Sequence, residues 1–181
     1  MMSASLDGYI AGPNGELDWH LVDDELHSHF NQAAAASMSL FMHGRVLYEP
    51  MAAAWPHADR DPASTLPMVE FAKIWRETPK IVYSKTLDHA DWNATIVREV
   101  VADEVKAPKA KPGGDMTVDG ADIAAEFVRQ DLIDEYRIYV HPVLIGQGKP
   151  LFQPSQMLYP LTLAETRTFS NGVALLRYTR G

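Results

Sequence analysis

Two junctions in this chain of 181 residues join a glycine to groups suited to holding an anion. In FMHGRVLYE, residues 41 to 49, a short apolar run reaches Gly44 and then Arg45, where a helix should start. In MTVDGADIAAEF, residues 116 to 127, the run ends at Gly120, which opens another helix. Glycine lets a backbone approach a ligand closely, the free N–H groups and dipole of a helix N-terminus favour negative charge, and a guanidinium presents a planar donor fork to phosphate. Each junction by itself is more often just a tight turn. In an open α/β sheet, however, strand ends that meet helix starts are where ligands collect.

Other chemistries find less support. Asp23, Asp24 and Glu25 precede an apolar periodicity; Asp23 suits an N-cap and the other two an acid-favouring first turn, so capping alone accounts for them. His20, His27 and His29 are close in sequence, but His27 and His29 are two apart and no H-E-x-x-H pattern occurs. No metal site is expected, and these histidines should be exposed to solvent. The absence of cysteine excludes thiolate nucleophiles, disulfides and cysteine-bound metals. GQGKP, residues 146 to 150, places Pro150 where a phosphate loop needs Ser or Thr, and no serine lies in a G-x-S-x-G setting.

Holding the two junctions side by side requires strands alternating with helices. A short first strand over 1–5 leads into a long Gly- and Pro-punctuated loop, 7 to 22. The periodicity predicts a helix from Asp23 to about Ser37, a strand in SLFMHG, a helix from about Gly44, an irregular stretch 55 to 66, and a helix through Met68, Phe71 and Trp75 that stops before Pro79. Strands follow at 80–84 and 95–101, then a basic linker at 106–114, a strand and helix about Gly120, a strand at 135–141, and terminal strands at 161–169 and 173–179 joined by the SNG turn. This order predicts one domain over residues 1–181 with a mostly parallel sheet and an antiparallel edge. A hydrophobic content of 46% supports one substantial core, while a net charge of −8 argues against general nucleic-acid binding. With no basic, apolar leader and no run near the ~20 apolar residues of a membrane span, a cytoplasmic protein without membrane association is expected.

Leu132 to Phe152 reads LIDEYRIYVHPVLIGQGKPLF: a polar turn at Asp134 and Glu135, a strand alternating Tyr136, Ile138 and Val140 with Arg137, Tyr139 and His141, a break at Pro142 and a loop at Gly146 and Gly148. This stretch closely resembles the dihydrofolate reductase-like superfamily, in the branch named after the C-terminal reductase domain of the bifunctional riboflavin-biosynthesis deaminase-reductase. The resemblance covers nearly the whole chain. SLDGYIAGPNGELDW, residues 5 to 19, is similar to the opening that lies beside a nicotinamide ring, which implies contacts at Ala11 and a pocket reaching Trp19 and His20. MHGRVLYE resembles the stretch whose glycine and arginine contact cofactor phosphates, here Gly44 and Arg45. KIVYSKTL resembles the strand and turn that hold the adenosine ribose phosphate; Ser84 and Lys85 are the matching groups, and with Arg45 they would favour NADPH over NADH. MTVDGADI is similar to the glycine pair gripping the pyrophosphate, which implies contacts at Gly120, Ala121, Asp122 and Ile123.

The same resemblance implies a catalytic carboxylate at Asp24 and substrate contacts from Tyr139 and His141. It also implies a three-layer fold with helices on both faces of the sheet, an NADPH-dependent reductase acting on a small heterocyclic or ribosylaminopyrimidine-like substrate, and a homodimer. Two departures carry consequences. Asp119 replaces the first glycine of the pair, so its charge would oppose a diphosphate unless turned away; this leaves open a cofactor-binding or interaction module without turnover. Only two residues precede Ser3 where the family has a longer first strand, so a trimmed or mis-started chain is expected.

Overall fold

The alternating pattern folds as layered α/β structure, and the computed structural model describes residues 1–154 and 158–181 of it. In chain order the elements are β1 (Met2–Ser5), β2 (Tyr9–Ala11), α1 (Asp24–Ser37), β3 (Met38–Gly44), α2 (Arg45–Ala54), a 3-10 segment (Trp55–Arg60), α3 (Leu66–Glu77), β4 (Lys80–Tyr83) and β5 (Ala94–Val97). They continue with α4 (Ala102–Lys109), β6 (Asp115–Asp119), α5 (Ala121–Arg129), β7 (Glu135–His141), β8 (Lys149–Pro150), β9 (Leu161–Thr168) and β10 (Ala174–Arg180).

One four-stranded sheet has the order β5-β4-β3-β6, all parallel, and the other has the order β1-β7-β10-β9, parallel between β1 and β7 and antiparallel beyond. The two sheets abut at β6 and β1, where the Met1 amine donates to the Val118 carbonyl at 3.3 Å and the Gly120 N–H points at the Met2 sulfur at 3.1 Å. Helices cover both faces. Leu26 and Ala34 of α1 and Trp75 of α3 pack over Phe41, Val82, Tyr139 and Leu175, while Val105 of α4 and Phe127 of α5 pack with Met42 and Val118 on the opposite side. Each such fully buried large side chain contributes roughly 1.5–3 kcal/mol.

Local chemistry sets the element ends. The Asp23 carboxylate accepts the Leu26 N–H at 2.9 Å and caps α1. Pro79 follows the end of α3, where the Lys80 ammonium donates to the carbonyls of Trp75 and, at 2.7 Å, Thr78, and also reaches the Trp92 carbonyl before β5 at 3.1 Å. Lys80 is thus a buried cation whose hydrogen bonds are met by backbone, and its burial lowers its pKa to about 8.

Three expectations need correction. Residues 106–109 of the segment read as a basic linker are the end of helix α4, because Val105 buries against Met42 and Phe127 and Pro108 falls only in the last turn; 110–114 is a non-helical connection as expected. The strand expected over 95–101 ends at Val97, where its partner β4 also ends. The loop 7–22 contains β2, which pairs with β8; a Cβ on Gly148 would lie 2.1 Å from the Ala11 carbonyl oxygen, so this contact requires glycine.

Candidate functional site

A cleft of about 1780 Å³ opens where β3, β4 and β6 end and α2 and α5 begin, with the β2 loop as its rim. Its neck is formed by the two glycine junctions. His43 and Asp119 are register partners on adjacent parallel strands, so Gly44 and Gly120 leave the sheet side by side. An added Cβ on Gly44 would touch Ile123 of α5 at 3.9 Å, and one on Gly120 would touch Leu47 of α2 at 3.9 Å. Gly120 also has φ +104, a conformation that residues with a Cβ rarely adopt. The cleft lining includes Ala11, Gly44, Arg45, Ser84 and Lys85, and also Gly120, Ala121, Asp122 and Ile123.

Charge is segregated within the cleft. Its lining contains five Lys or Arg residues, namely Arg45, Lys85, Arg98, Arg129 and Lys149, and all stand around the strand ends and α5. Arg45 is exposed and pairs with Glu49 at 2.9 Å, Lys149 pairs with Asp122, and Arg129 pairs with Glu126 at 2.5 Å. Arg98 donates to the carbonyls of Ser84 at 3.0 Å and Leu87 at 2.7 Å, shaping the turn after β4. The Ser84 hydroxyl oxygen accepts the Leu87 N–H at 2.9 Å in that same turn, leaving Lys85 exposed at its tip. The Asp119 carboxylate is turned towards the Met1 amine, 3.1 Å away, and accepts from the Thr117 hydroxyl at 3.2 Å. Of Arg98, Arg129, Lys149 and Gly148, none was singled out by type and spacing, because their roles arise from strand-end geometry.

The other half holds histidines and aromatic rings. His27 of α1 is buried against Trp55 and Phe71, with ring centroids 5.4 and 5.8 Å away. His43 is 3% exposed, stacks on Trp75 at 5.5 Å, and has neither ring nitrogen hydrogen-bonded. Burial lowers the pKa of both, so the neutral imidazole is favoured, although Asp119 partly opposes this at His43. The expectation of solvent-exposed histidines is therefore overturned for His27, and His20 and His29 are half-buried, because α1 turns this face towards the sheet. Tyr139 lines the cleft, bonds through its hydroxyl to His29 at 3.1 Å, and has its pKa pushed up to about 12 by burial.

His20 lines the cleft, whereas Trp19 and His141 stand behind it as a wall: Trp19 meets the His20 ring edge-on at 4.1 Å, and His20 stacks on His141 at 5.1 Å. Asp24 is exposed in the first turn of α1 and is not part of the lining. Among the described residues no cluster of three or more His, Cys, Asp or Glu side chains is placed to hold a metal ion. No helix among them is long and apolar enough to cross a membrane.

The model of the RibD C-terminal domain family matches residues 1–175. The chain belongs to the RibD C-terminal domain family. Its relatives include the uncharacterized proteins YyaP and YwjB of Bacillus subtilis (strain 168). YyaP is 32% identical over 180 residues, covering 98% of this chain and 91% of the relative. YwjB is 27% identical over 182 residues, covering 96% and 92%. Among solved structures, a protein from Shewanella sp. PV-4 with a provisional riboflavin-biosynthesis name superposes with a TM-score of 0.76 at 22% identity, covering 99% of this chain and 96% of that one. Dihydrofolate reductase from Enterococcus faecalis, complexed with NADP(H), superposes at 0.62 with 14% identity, covering 99% and 94%. RibD from Acinetobacter baumannii superposes at 0.65 with 20% identity; this RibD C-terminal domain chain is covered to 99% but spans only 56% of that protein. These likenesses establish the dihydrofolate reductase-like fold.

Proposed function

We propose that this RibD C-terminal domain protein is an NADPH-dependent reductase of a small heterocyclic substrate. The observation that carries the reading is the segregated cleft: five cationic side chains and two glycine-opened helix starts on one side, and aromatic rings with neutral histidines on the other. Gly44, Arg45 and the α5 start at Gly120–Ile123 would hold the pyrophosphate, Lys85 with the Ser84 turn would hold the 2′-phosphate, and Ala11 would lie against the nicotinamide. When bound, the cofactor supplies a hydride to a C=N or C=O group. The protein's part is to align donor and acceptor and to exclude water, for which the β2–β8 rim and the buried aromatic wall are suited. The Asp119 carboxylate lines the cleft, and its pairing with the Met1 amine and the Thr117 hydroxyl offsets the charge it would set against the phosphates.

Titration with NADPH, followed by calorimetry, tests this reading. Binding at micromolar to sub-millimolar cofactor, weaker for NADH, is expected; no binding at millimolar NADPH overturns it. Tight binding without oxidation of NADPH by any heterocyclic acceptor would instead support the cofactor-binding module.

The reading includes a cytoplasmic homodimer. Strand β9 is a sheet edge with all eight residues exposed, Leu161 and Leu163 among them, and such an edge invites pairing with a second copy. Light scattering should give twice the chain mass, and Leu163→Lys should halve it; a monomeric wild type would exclude pairing.

A further inference from the structure

The half of the cleft away from the cations contains a polar group with no structural task. His43 projects from β3 on the same sheet face as its register partners Val82 and Asp119, is 3% exposed and belongs to the cleft lining. Neither Nδ1 nor Nε2 has a partner. An unsatisfied buried polar group is costly, so such groups are ordinarily hydrogen-bonded. A phenylalanine would fill the same stack on Trp75 without that cost, which makes the imidazole a candidate for ligand contact. Lowered basicity keeps it neutral, with one donor and one acceptor nitrogen.

The surroundings specify the kind of ligand. Phe30, Trp55, Phe71 and Trp75 line this half, together with Ala34 and Met51. Among the described residues, α1, α3 and the 3-10 segment contribute no Lys or Arg to the lining. The cations near it are already paired: the Met1 amine with Asp119 at 3.1 Å and the Val118 carbonyl at 3.3 Å, Lys80 with three carbonyls, and Arg76 with Asp59 at 2.8 Å and the Pro56 carbonyl at 2.7 Å. The Asp119 carboxylate beside His43 is paired with the Met1 amine, so no unpaired positive charge stands there to receive an anionic substituent.

We infer that His43 is a specificity-determining residue that reads the polar edge of an uncharged, flat, phosphate-free ring seated between Trp55 and Phe71. The inference rests on the reductase reading, in that the acceptor occupies the half of the cleft the cofactor leaves. Carboxylated or phosphorylated versions of the same ring are selected against because the cations around this half are already paired.

The test uses lumazine, an uncharged bicyclic ring, and its 6-carboxylate as probes, with affinities read by tryptophan quenching in the presence of saturating NADPH. Binding of NADPH is measured first, so that loss of the reductase reading is seen separately. Lumazine should bind at least tenfold more tightly than its carboxylate. His43→Phe should weaken lumazine at least tenfold while NADPH affinity holds, and His43→Asn, which keeps a donor and an acceptor, should recover part of the loss. Equal affinity for the two probes, no lumazine binding at millimolar concentration, or unchanged lumazine affinity in His43→Phe would overturn the inference, even with NADPH bound. Should His43→Phe fail to fold, the His43 ring 15N shifts in the wild type decide: movement with lumazine supports the contact, and unmoved shifts overturn it.

Discussion

The backbone N–H of Leu21 donates to Nδ1 of His141, 3.1 Å away and 120 residues later in the chain. This bond needs a lone pair on Nδ1, so it fixes the imidazole in its neutral Nε2-protonated form and tethers the loop that carries Trp19 and His20. Burial, with a smaller push from His20, lowers the His141 pKa from 6.5 to about 4. Between those values the unfolded chain binds the proton that the folded chain refuses, so stability falls as pH falls through this window. The loss from this residue alone should approach roughly 3 kcal/mol by pH 4. Urea unfolding from pH 7 to pH 4 measures it, and His141→Phe should give a flatter profile; an unchanged slope would rule out His141 as its source.

Gly44 and Gly120 look alike in sequence but should respond differently to alanine. Gly44 has ordinary extended geometry, and its added Cβ would meet nothing closer than 3.9 Å, so Gly44→Ala should fold with less than ~0.5 kcal/mol lost. Any drop in its NADPH affinity then reports directly on ligand approach. Gly120 has φ +104 and adequate space, so Gly120→Ala should cost on the order of 1–2 kcal/mol through backbone strain. Thermal unfolding of both variants would show the difference.

These two corners were legible because strand, glycine and helix follow one another within a dozen residues. The terminal hairpin was equally legible from its SNG turn, where Gly172 has φ +86 and the Asn171 side chain accepts the Val173 N–H at 3.1 Å. Helix α4 was not, since a segment with two prolines and three lysines hides the burial of Val105 under α5. Strands β2 and β8 were invisible for another reason: two or three residues carry no periodicity, and their pairing depends on the approach of Gly148 to Ala11. The cationic side of the cleft was only half read, as Arg98, Arg129 and Lys149 arrive from three separate elements. His43 could have been noticed from its place two residues after Phe41 on a buried strand, where alternation puts both on one face.

Arg45 tests the phosphate assignment. Its pairing with Glu49 is exposed and therefore adds under ~1 kcal/mol to stability, leaving the guanidinium free to exchange a carboxylate for a phosphate. Arg45→Ala should raise the NADPH dissociation constant about tenfold or more, in keeping with ~1.5–3 kcal/mol for a charge-assisted bond, while the unfolding temperature hardly moves. Calorimetric titration checks the first outcome and a thermal melt the second; unaltered affinity removes Arg45 from the site.

Asp23 and Asp24 are neighbours with separable tasks. The Asp23 carboxylate takes the Leu26 N–H at the start of α1, so Asp23→Ala should cost about 1 kcal/mol in thermal or urea unfolding. Asp24 makes its favourable contribution through the helix dipole from an exposed first-turn position, and Asp24→Asn should cost less than ~0.5 kcal/mol. Asp24 is exposed and stands outside the cleft lining, so the structure builds in no direct contact between it and a bound ring. Asp24→Asn should therefore leave the single-turnover rate of NADPH oxidation within about twofold of wild type, with any acceptor the wild type reduces. A fall of a hundredfold or more, the scale of lost general acid catalysis, would return Asp24 to the chemistry and require the α1 start to move towards the cleft when substrate binds.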